Sequence, residues 1–418
     1  MAAWTLRWPP AAAEMIEITV VIFIVVYLGM ILGGLPVVQI DRTGIALLGA
    51  IALIGFDAVS PDEAARSIHL PTLILLFAFM VVAAQMRLSG FYDAVARRLT
   101  RLPLTPPLLI GALIFVVAVL SAVFSNDIVC LAVAPVLIAA CRGLRLDPRP
   151  FLLALACGAN IGSAATLIGN PQNMLIGQTL HLSFGGYFLE AVLPVGVSLL
   201  ATWILMLALT RGRFVDAAAV APRVGTRDSE APDEGVPLDT WQTIKGLTVA
   251  LTIVACFVFG PWPREVVALA GAGVLLTSRR LHSRQMLGLV DWELLVLFIG
   301  LFVVNHALQK TGVPARLVAD LTATGVSLQH LGPLFATTFV LSNIVSNVPA
   351  VMLLLPAVEH TLAGPTLALV STLAGNLFIV GSVANIIVVD VAARHGIKIG
   401  WREHARIGIP VTLATLAI

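Results

Sequence analysis

Charged side chains are scarce in this chain: only 11% of its 418 residues are Asp, Glu, Lys or Arg, while 59% are hydrophobic. A soluble domain carries about 25% charged residues, and the mean hydropathy here is +0.98. Because backbone in lipid must satisfy its own hydrogen bonds, we predict an all-α polytopic protein, multi-pass in the inner (plasma) membrane. The net charge of +2 is too small to indicate a nucleic-acid partner.

The sequence also lacks the motifs of most enzymes. Its four cysteines lie in apolar segments without CxxC spacing, so neither disulfides nor a zinc site is predicted. No nucleophile–base set, phosphate-binding loop or metal-ligand cluster is recognisable. We therefore predict that the protein is not an enzyme and has no cofactor, with H⁺ or possibly Na⁺ as a coupling ion.

What the sequence does contain is an internal repeat. In each half, apolar sequence is interrupted twice by polar residues at matching spacings. The matched positions are Ser125-Asn126-x8-Pro135 with Ser346-Asn347-x8-Pro356, and Gly169-x3-Asn173 with Gly381-x3-Asn385. Repeats of this kind are typical of secondary transporters, whose sites lie where the two halves meet.

On this basis we divide the chain into two repeats of about five transmembrane helices, each with a re-entrant helical hairpin and a broken helix. The predicted boundaries are 1–210 for the first repeat (hairpin 105–141, broken helix 150–179), 211–240 for a polar cytoplasmic linker, and 241–418 for the second repeat (hairpin 331–360, broken helix 364–390). Because five is an odd number, the second repeat is predicted to be inverted in the membrane.

The charge pattern favours a re-entrant hairpin over two full spans. Arginines precede the two arms of the first hairpin and also follow them, and positive charge favours the cytoplasmic side. These residues are Arg87, Arg97, Arg98 and Arg101 before the arms, and Arg142, Arg145 and Arg149 after them. Both ends of the hairpin are therefore predicted at the cytoplasmic face, with Asn126 at the tip.

Polar and helix-breaking residues at the interruptions predict a site that binds substrate or ions, since such residues survive in a membrane only where protein or a wet cavity satisfies them. The candidates are Ser125, Asn126, Asp127, Asn160, Thr166, Gly169, Asn170, Asn173, Ser346, Asn347, Asn376, Gly381, Ser382 and Asn385. Half-helix starts carry partial positive charge, which favours an anion or a strongly polar solute. Carbonyl groups freed at the breaks are candidate ligands for Na⁺ or water.

Asp127 is the ionisable residue of this set, and Val348 takes its place in the second half. An acidic group inside a membrane is functional by default, so Asp127 is the candidate for proton coupling. The alternative is that Asp127 stays ionised and caps the following arm, as Asn126 also can. Pro171 suits the first turn of the half-helix that ends near Gln178.

At these residues the sequence resembles the ion transporter superfamily, which includes arsenite/antimonite permeases, NhaD-type Na⁺/H⁺ antiporters, the melanosomal P protein, citrate transporters and divalent anion/Na⁺ symporters. Ser125-Asn126-Asp127 and Ser346-Asn347-Val348-Pro349 look like the hairpin-tip motifs of the superfamily. Gly169-Asn170-Pro171-Gln172-Asn173 looks like the break of the arsenite permease and P protein branch. The Ser-Asn-Thr tips of the divalent anion symporters are absent here.

The resemblance to arsenite permeases implies extrusion of a trivalent metalloid in exchange for protons, in some members with a soluble ATPase attached. Our first hypothesis is proton-coupled efflux of arsenite, antimonite or a related small anion by an elevator-like mechanism. The alternatives are a Na⁺/H⁺ antiporter and a Na⁺-coupled carboxylate or anion symporter. A receptor or scaffold is disfavoured because it gains nothing from paired breaks. The resemblance also implies a homodimer, and lipid is the remaining expected partner.

Overall fold

The computed structural model describes residues 10–32, 40–210 and 236–418, and helices are the repeating elements of these ranges. The first half contains α1 (Pro10–Leu32), α2 (Arg42–Gly55), α3 (Pro61–Ser67), α4 (Leu70–Leu88), α5 (Phe91–Thr100), α6 (Pro106–Phe124), α7 (Asn126–Gly143), α8 (Pro148–Ser163), α9 (Pro171–Thr179) and α10 (Phe184–Thr210). Most of the predicted linker lies outside the described residues.

The second half begins at the last residue of that linker. It contains α11 (Thr240–Phe259), α12 (Arg264–Leu276), α13 (Ser283–Leu287), α14 (Trp292–Lys310), α15 (Val313–Ala323), α16 (Leu331–Val345), α17 (Asn347–Leu354), α18 (Ala363–Ala374), α19 (Val383–Arg394) and α20 (Trp401–Ala417). A 3₁₀ turn follows α17 and another lies between α18 and α19. Each half thus runs through the same succession of elements.

Seven of the described helices are long and apolar enough to cross a membrane. They are α1, α4, α6, α7, α10, α11 and α14, against a requirement of about 20 apolar residues for a bilayer core. Their outward faces are apolar: on α10, Leu189 is 73% exposed and Leu193 is 72% exposed, which suits contact with lipid. The predicted class of all-α polytopic membrane protein is confirmed.

The two halves pack against each other reciprocally. Helix α4 of the first half lies against α12 of the second, and α14, the counterpart of α4, lies against α2, the counterpart of α12. Small residues allow the close approach, since a Cβ on Gly300 would lie 2.7 Å from the backbone carbonyl carbon of Ala46. Reciprocal packing supports the predicted repeat, while its inversion relative to the membrane stays a prediction.

Both hairpins reverse direction at a single serine. Ser125 joins α6 to α7 with φ of +70°, and Ser346 joins α16 to α17 with φ of +76°. A positive φ at a residue other than glycine costs about 1–3 kcal/mol and persists only where the surrounding structure fixes it. At the first tip, the Asn126 backbone N–H donates to the Gly169 carbonyl at 3.1 Å, so the tip is tied to the break of the first broken helix.

The alternative that Asn126 or Asp127 caps the arm α7 is wrong. Ser125 occupies the N-cap position without a side-chain hydrogen bond to the backbone, and Asn126 and Asp127 lie inside the first turn. The Asn126 N–H of this turn is satisfied instead by the Gly169 carbonyl. The side chains of Asn126 and Asp127 are therefore available to other elements. The prediction for Pro171 is confirmed, because it begins α9 directly after the N-cap residue Asn170.

The first broken helix is interrupted later than predicted. Helix α8 continues past Asn160, which lies in its last turn, so the break covers 164–170. The helix persists there because it packs tightly on α6: a Cβ on Gly162 would lie 2.2 Å from the Ala118 Cα. In the second half, residues 375–382 separate α18 from α19.

Polar contacts between the halves show which loops lie together at each end of the helices. At one end, Lys310 Nζ lies 2.9 Å from Glu63 Oε1. At the other end, which we call the basic end, Arg142 donates to the His395 carbonyl at 2.6 Å. Basic residues concentrate in the loops of the basic end, which the positive-inside rule predicts to be cytoplasmic. They include Arg87, Arg97, Arg98, Arg101, Arg145, Arg149, Arg279, Arg280, Arg284, Arg394, Lys398, Arg402 and Arg406.

The two hairpins differ in the length of their helices. In the first hairpin α6 has 19 residues and α7 has 18, so each is long enough to cross a membrane alone. In the second, α17 has only 8 residues, which at 1.5 Å per residue span about 12 Å. An arm of this length does not cross a bilayer core of about 30 Å. The short arm supports the re-entrant interpretation, which stays a prediction for both hairpins.

Candidate functional site

Asn160, in the last turn of α8, is the centre of the hydrogen bonds that join the two halves. Its Nδ2 donates to Asn376 Oδ1 at 2.9 Å and to Asn385 Oδ1 at 3.1 Å. Its Oδ1 accepts from Asn126 Nδ2 and from the Ser382 hydroxyl, both at 2.9 Å. One amide thus uses both of its donors and both acceptor positions. We call these five residues the Asn160 hub, and the hub connects the first tip to the second break.

The hub residues of the second break also hold its backbone in place. Asn385 Nδ2 donates to the Gly375 carbonyl at 2.8 Å and to the Phe378 carbonyl at 3.1 Å. The Ser382 hydroxyl caps α19 by accepting from the Ala384 N–H at 3.2 Å. Two carbonyls and one N–H released by the break are therefore satisfied by the same side chains that reach the first half.

A second polar cluster lies around Thr372 of α18, a residue that the sequence did not single out. Asn170 Nδ2 and Gln172 Nε2 each lie 3.2 Å from its hydroxyl oxygen. Asn170 also caps α9 by accepting from the Asn173 N–H at 2.9 Å. This cluster joins α18 of the second half to α9 of the first, as the hub joins α8 to α19.

Two further residues missed by the sequence support the breaks from the last helix of each half. Tyr187, one turn into α10, donates its hydroxyl to the Ala164 carbonyl at 2.7 Å and accepts from Asn173 Nδ2 at 3.3 Å. His404, one turn into α20, places Nε2 3.2 Å from the Asn376 carbonyl oxygen. The two residues hold equivalent places in the repeat. Aligning the first turns of α10 and α20 is the signal that could have found them.

Two of the predicted site residues serve the backbone rather than the hub. The Thr166 hydroxyl donates to the Ala122 carbonyl in α6 at 2.5 Å. A Cβ on Gly169 would lie 2.1 Å from the Ser163 carbonyl oxygen, so no larger residue fits there. Both residues fix the first break against the first hairpin, and Gly169 contacts the hub only through its backbone carbonyl, which accepts from the Asn126 N–H.

The second tip lies against the second break. A Cβ on Gly381 would lie 3.5 Å from Asn343 Oδ1, and one on Gly375 would lie 3.1 Å from Asn347 Nδ2. Gly375 therefore leaves the space in which the Asn347 side chain sits, while Asn343 lies at an ordinary contact distance from Gly381. Asn343, one turn before Ser346, was not among the predicted residues, although it presents an amide beside the predicted ones.

Five buried polar atoms around the hub have no hydrogen-bond partner among the described residues. They are Asn126 Oδ1, Asp127 Oδ1, Asn343 Oδ1, Asn347 Oδ1 and Asn376 Nδ2. A buried donor or acceptor left unpaired costs about 1–3 kcal/mol. Such atoms are expected where a ligand, ion or water completes a site. Four of the five are oxygens, so acceptors predominate among the unpartnered side-chain atoms.

Asp127 faces a cavity beside the hub. The cavity has a volume of about 110 Å³ and lies between α4 and α14 on one side and the starts of α7 and α9 with part of α19 on the other. This volume accommodates several water molecules. Ser125, Asp127 and Pro171 line its inner part, while Arg87 and Asp291 line it at the basic end. Asp127 is partly exposed to the cavity.

Four helix starts surround this region, those of α7, α9, α17 and α19. Each contributes partial positive charge from its N–H groups, the feature from which the sequence analysis predicted an anion or a strongly polar solute. Among the described residues, no lysine or arginine hydrogen-bonds to the hub. The electrostatics of the site therefore come from helix ends, neutral amides and one carboxyl group.

Paired hairpins and broken helices that join the two halves of a helical membrane bundle are an architecture typical of membrane transporters. A family model described as citrate transporter matches residues 18–374. The chain belongs to this family, which lies within the ion transporter superfamily. It is therefore a membrane transporter and not an enzyme.

Relatives of similar length support the assignment. The 46 kDa membrane protein of Mycobacterium leprae is 30% identical over 91% of this chain and 92% of its own length. The silicon efflux transporter LSI3 of Oryza sativa is 30% identical over 92% of both chains. The putative transporter arsB of Dictyostelium discoideum is 24% identical over 91% of this chain and 86% of its own.

A solved structure shares the fold. The YdaH transporter of Alcanivorax borkumensis superposes with a TM-score of 0.50 at 15% sequence identity, covering 98% of this chain and 96% of the other. At this level of identity the similarity concerns the fold alone.

Proposed function

We propose that this protein exports arsenite, antimonite or another small hydroxylated solute in exchange for protons. The observation that carries the proposal is the set of unpartnered buried oxygens that both halves present beside the Asn160 hub. These oxygens can accept hydrogen bonds from a ligand that donates them, which supports a hydroxylated solute. Asp127 would carry the exchanged proton, because it is the ionisable side chain among the five.

The solute must complement acceptors that outnumber donors. Trivalent arsenic and antimony occur near neutral pH as uncharged hydroxylated acids, which offer O–H donors and oxygen acceptors together. Asn126 and Asn347 can accept from such hydroxyls through Oδ1, and Asn376 can donate through Nδ2. A fully ionised carboxylate has acceptors only and would face these oxygens unpaired. The site therefore suits the hydroxylated acid better than a dicarboxylate.

The names of two relatives agree with this chemistry. The rice relative is named for silicon efflux, and dissolved silicon near neutral pH is also a small uncharged hydroxylated acid. The Dictyostelium relative carries the name arsB. Both names support a solute of this class for the present chain.

Exchange follows if the solute and the proton compete at the first tip. An ionised Asp127 accepts a strong, charge-assisted hydrogen bond from a hydroxyl of the solute, whereas a protonated Asp127 is a weaker, neutral acceptor. Binding of a proton therefore weakens binding of the solute, and by linkage the solute favours proton release to the same extent. A transporter that carries either ligand, but not both, moves them in opposite directions.

The packing suggests which parts move. The hairpins and broken helices α6–α9 and α16–α19 pack mainly on one another, whereas α2, α4, α12 and α14 pack reciprocally between the halves. The cavity lies between these two groups. We propose that the first group shifts as a rigid body against the second, carrying the site from one face of the membrane to the other.

The test is arsenite accumulation in inside-out vesicles under an imposed pH gradient. We expect the parent to accumulate arsenite until the gradient is dissipated, and Asp127→Asn to fail although it is folded. Asp390→Asn is the matched control, since Asp390 pairs with Arg394 at 2.7 Å at the far end of α19. No accumulation by the folded parent would reject the proposal.

A Na⁺-coupled transporter is the second candidate. The four unpartnered oxygens of the site are also the type of ligand that a hard cation takes, and they come from both tips. This observation favours either a Na⁺/H⁺ antiporter or a Na⁺-coupled carboxylate or anion symporter. Proton release driven by Na⁺ without arsenite would establish the first, and Na⁺-dependent uptake of citrate would establish the second.

The predicted homodimer, ATPase partner, small-anion substrate class and inner-membrane location stay proposals. Residues 211–235 of the linker, where a soluble partner would dock, lie outside the described residues. Crosslinking of the purified protein in lipid would show whether two copies associate.

A further inference from the structure

The cavity that contains Asp127 extends to a second carboxyl group. Asp291 lines the cavity where α14 starts, at the basic end, and is exposed. Its Oδ1 accepts from the Leu294 N–H at 2.9 Å, so Asp291 is the N-cap residue of α14 and its position is fixed. A continuous cavity thus joins a carboxyl group at the first tip with one at the surface.

We propose that Asp291 takes up the proton that Asp127 releases toward the basic end and passes it to bulk water. The inference rests on the proposed function, because it assumes that Asp127 carries the exchanged proton. In this step the Asp127 carboxyl gives its proton to a cavity water, and that water gives a proton to the Asp291 carboxylate. Asp291 then loses the proton to solvent, so one proton leaves and both groups end as carboxylates.

The surroundings of the cavity support a relay between these two residues. Arg87 is the remaining charged residue among those that line it. The walls from α9 and α19 are formed by Pro171, Met174 and Ile387, which do not titrate. A proton leaving Asp127 through this cavity therefore meets Asp291 as its acceptor.

Groups outside the cavity complete the electrostatic setting. Glu293 follows Asp291 on α14 and is exposed, and Arg42 begins the helix that packs against α14. Cys130 lies one turn beyond Asp127 on α7 and is buried. Neither Glu293, Arg42 nor Cys130 lines the cavity, so none of them replaces Asp291 as the acceptor.

Arg87 lies in the last turn of α4 and borders the same cavity, so a fixed positive charge stands beside the path between the two carboxyl groups.

The test uses parent and variant proteins in proteoliposomes with a pH-sensitive dye on the side of the basic end. Asp291→Asn keeps the cap, because asparagine is as good an N-cap residue as aspartate, but it cannot accept a proton. We expect proton release driven by arsenite to slow severalfold, whereas arsenite–arsenite exchange, which needs no net proton release, keeps its parental rate. Asp291→Glu should restore proton release.

Asp41→Asn is the matched control. Asp41 is the N-cap residue of α2, accepts from the Gly44 N–H at 2.8 Å, and does not line the cavity. It should leave both rates unchanged. Parental proton release by Asp291→Asn would overturn the inference, and so would an equal loss of exchange, which would indicate a structural role. Absence of proton release by the parent would instead reject the proposed function itself.

Discussion

Replacing Asn160 by alanine tests how the two halves are held together. The substitution removes four side-chain hydrogen bonds. Such bonds average about 0.6 kcal/mol each in membrane proteins, which gives about 2 kcal/mol for the set. Partners left unpaired in a buried site add a penalty that water entering the gap partly relieves, so we expect a total loss of about 2–4 kcal/mol in the free energy of unfolding.

Reversible unfolding in mixed SDS micelles measures this loss, with arsenite transport measured in parallel. Asn305→Ala is the control: Asn305 is a buried asparagine of α14 outside the hub, which accepts from Tyr27 and donates to the Leu301 carbonyl. These two bonds, with a third from Nδ2 to the Met352 sulfur at 3.9 Å, predict a loss of about 1–2 kcal/mol and retained transport. If Asn160→Ala lost no more stability than Asn305→Ala and still transported, the hub would not be the joint between the halves.

Three further predictions concern other parts of the fold. Gly169→Ala places a methyl group 2.1 Å from a backbone oxygen of α8 and should abolish the folded peak in size-exclusion chromatography, while Gly143→Ala, which meets open space, should not. Tyr187→Phe removes the hydroxyl that donates to the first break and should reduce the maximal transport rate without loss of protein. Hydrogen bonds from the backbone of its capping box and from Lys310 lower the pKa of Glu63 from its ordinary 4.5. That stabilisation is present above pH 4.5 and is lost as the pH falls through the folded pKa, so the thermal unfolding of Glu63→Gln should lack this acid step.

The hairpins and breaks could be predicted because each is marked by a short local run of polar residues, and the same run occurs in both halves. Ser125 and Ser346 each stand before an asparagine at matched spacing, and both prove to be single-residue reversals with positive φ. Pro171 marks the restart of a helix by the same local rule that applies in any protein. Local polar interruptions in apolar sequence therefore reveal where the chain turns and breaks.

The contacts between the halves could not be predicted in this way. Asn160 bonds to a residue 216 positions away, and nothing in its neighbourhood indicates that α8 continues past it on the face of α6. Tyr187 and His404 share a place but not a residue type, so a comparison of the halves by identity misses them. Asn126 and Asp127 are residue types that often cap helices. The structure shows that neither does so here, and that the Asn126 N–H bonds to the Gly169 carbonyl instead.

The account depends most directly on proton exchange through Asp127. The decisive measurement is the simultaneous recording of arsenite and proton flux in proteoliposomes that contain the parent or Asp127→Asn, in buffers with and without Na⁺. The account predicts that arsenite movement drives protons the other way in the parent without Na⁺, and that Asp127→Asn loses this counterflow. Arsenite movement without proton movement, or with a requirement for Na⁺, would contradict it.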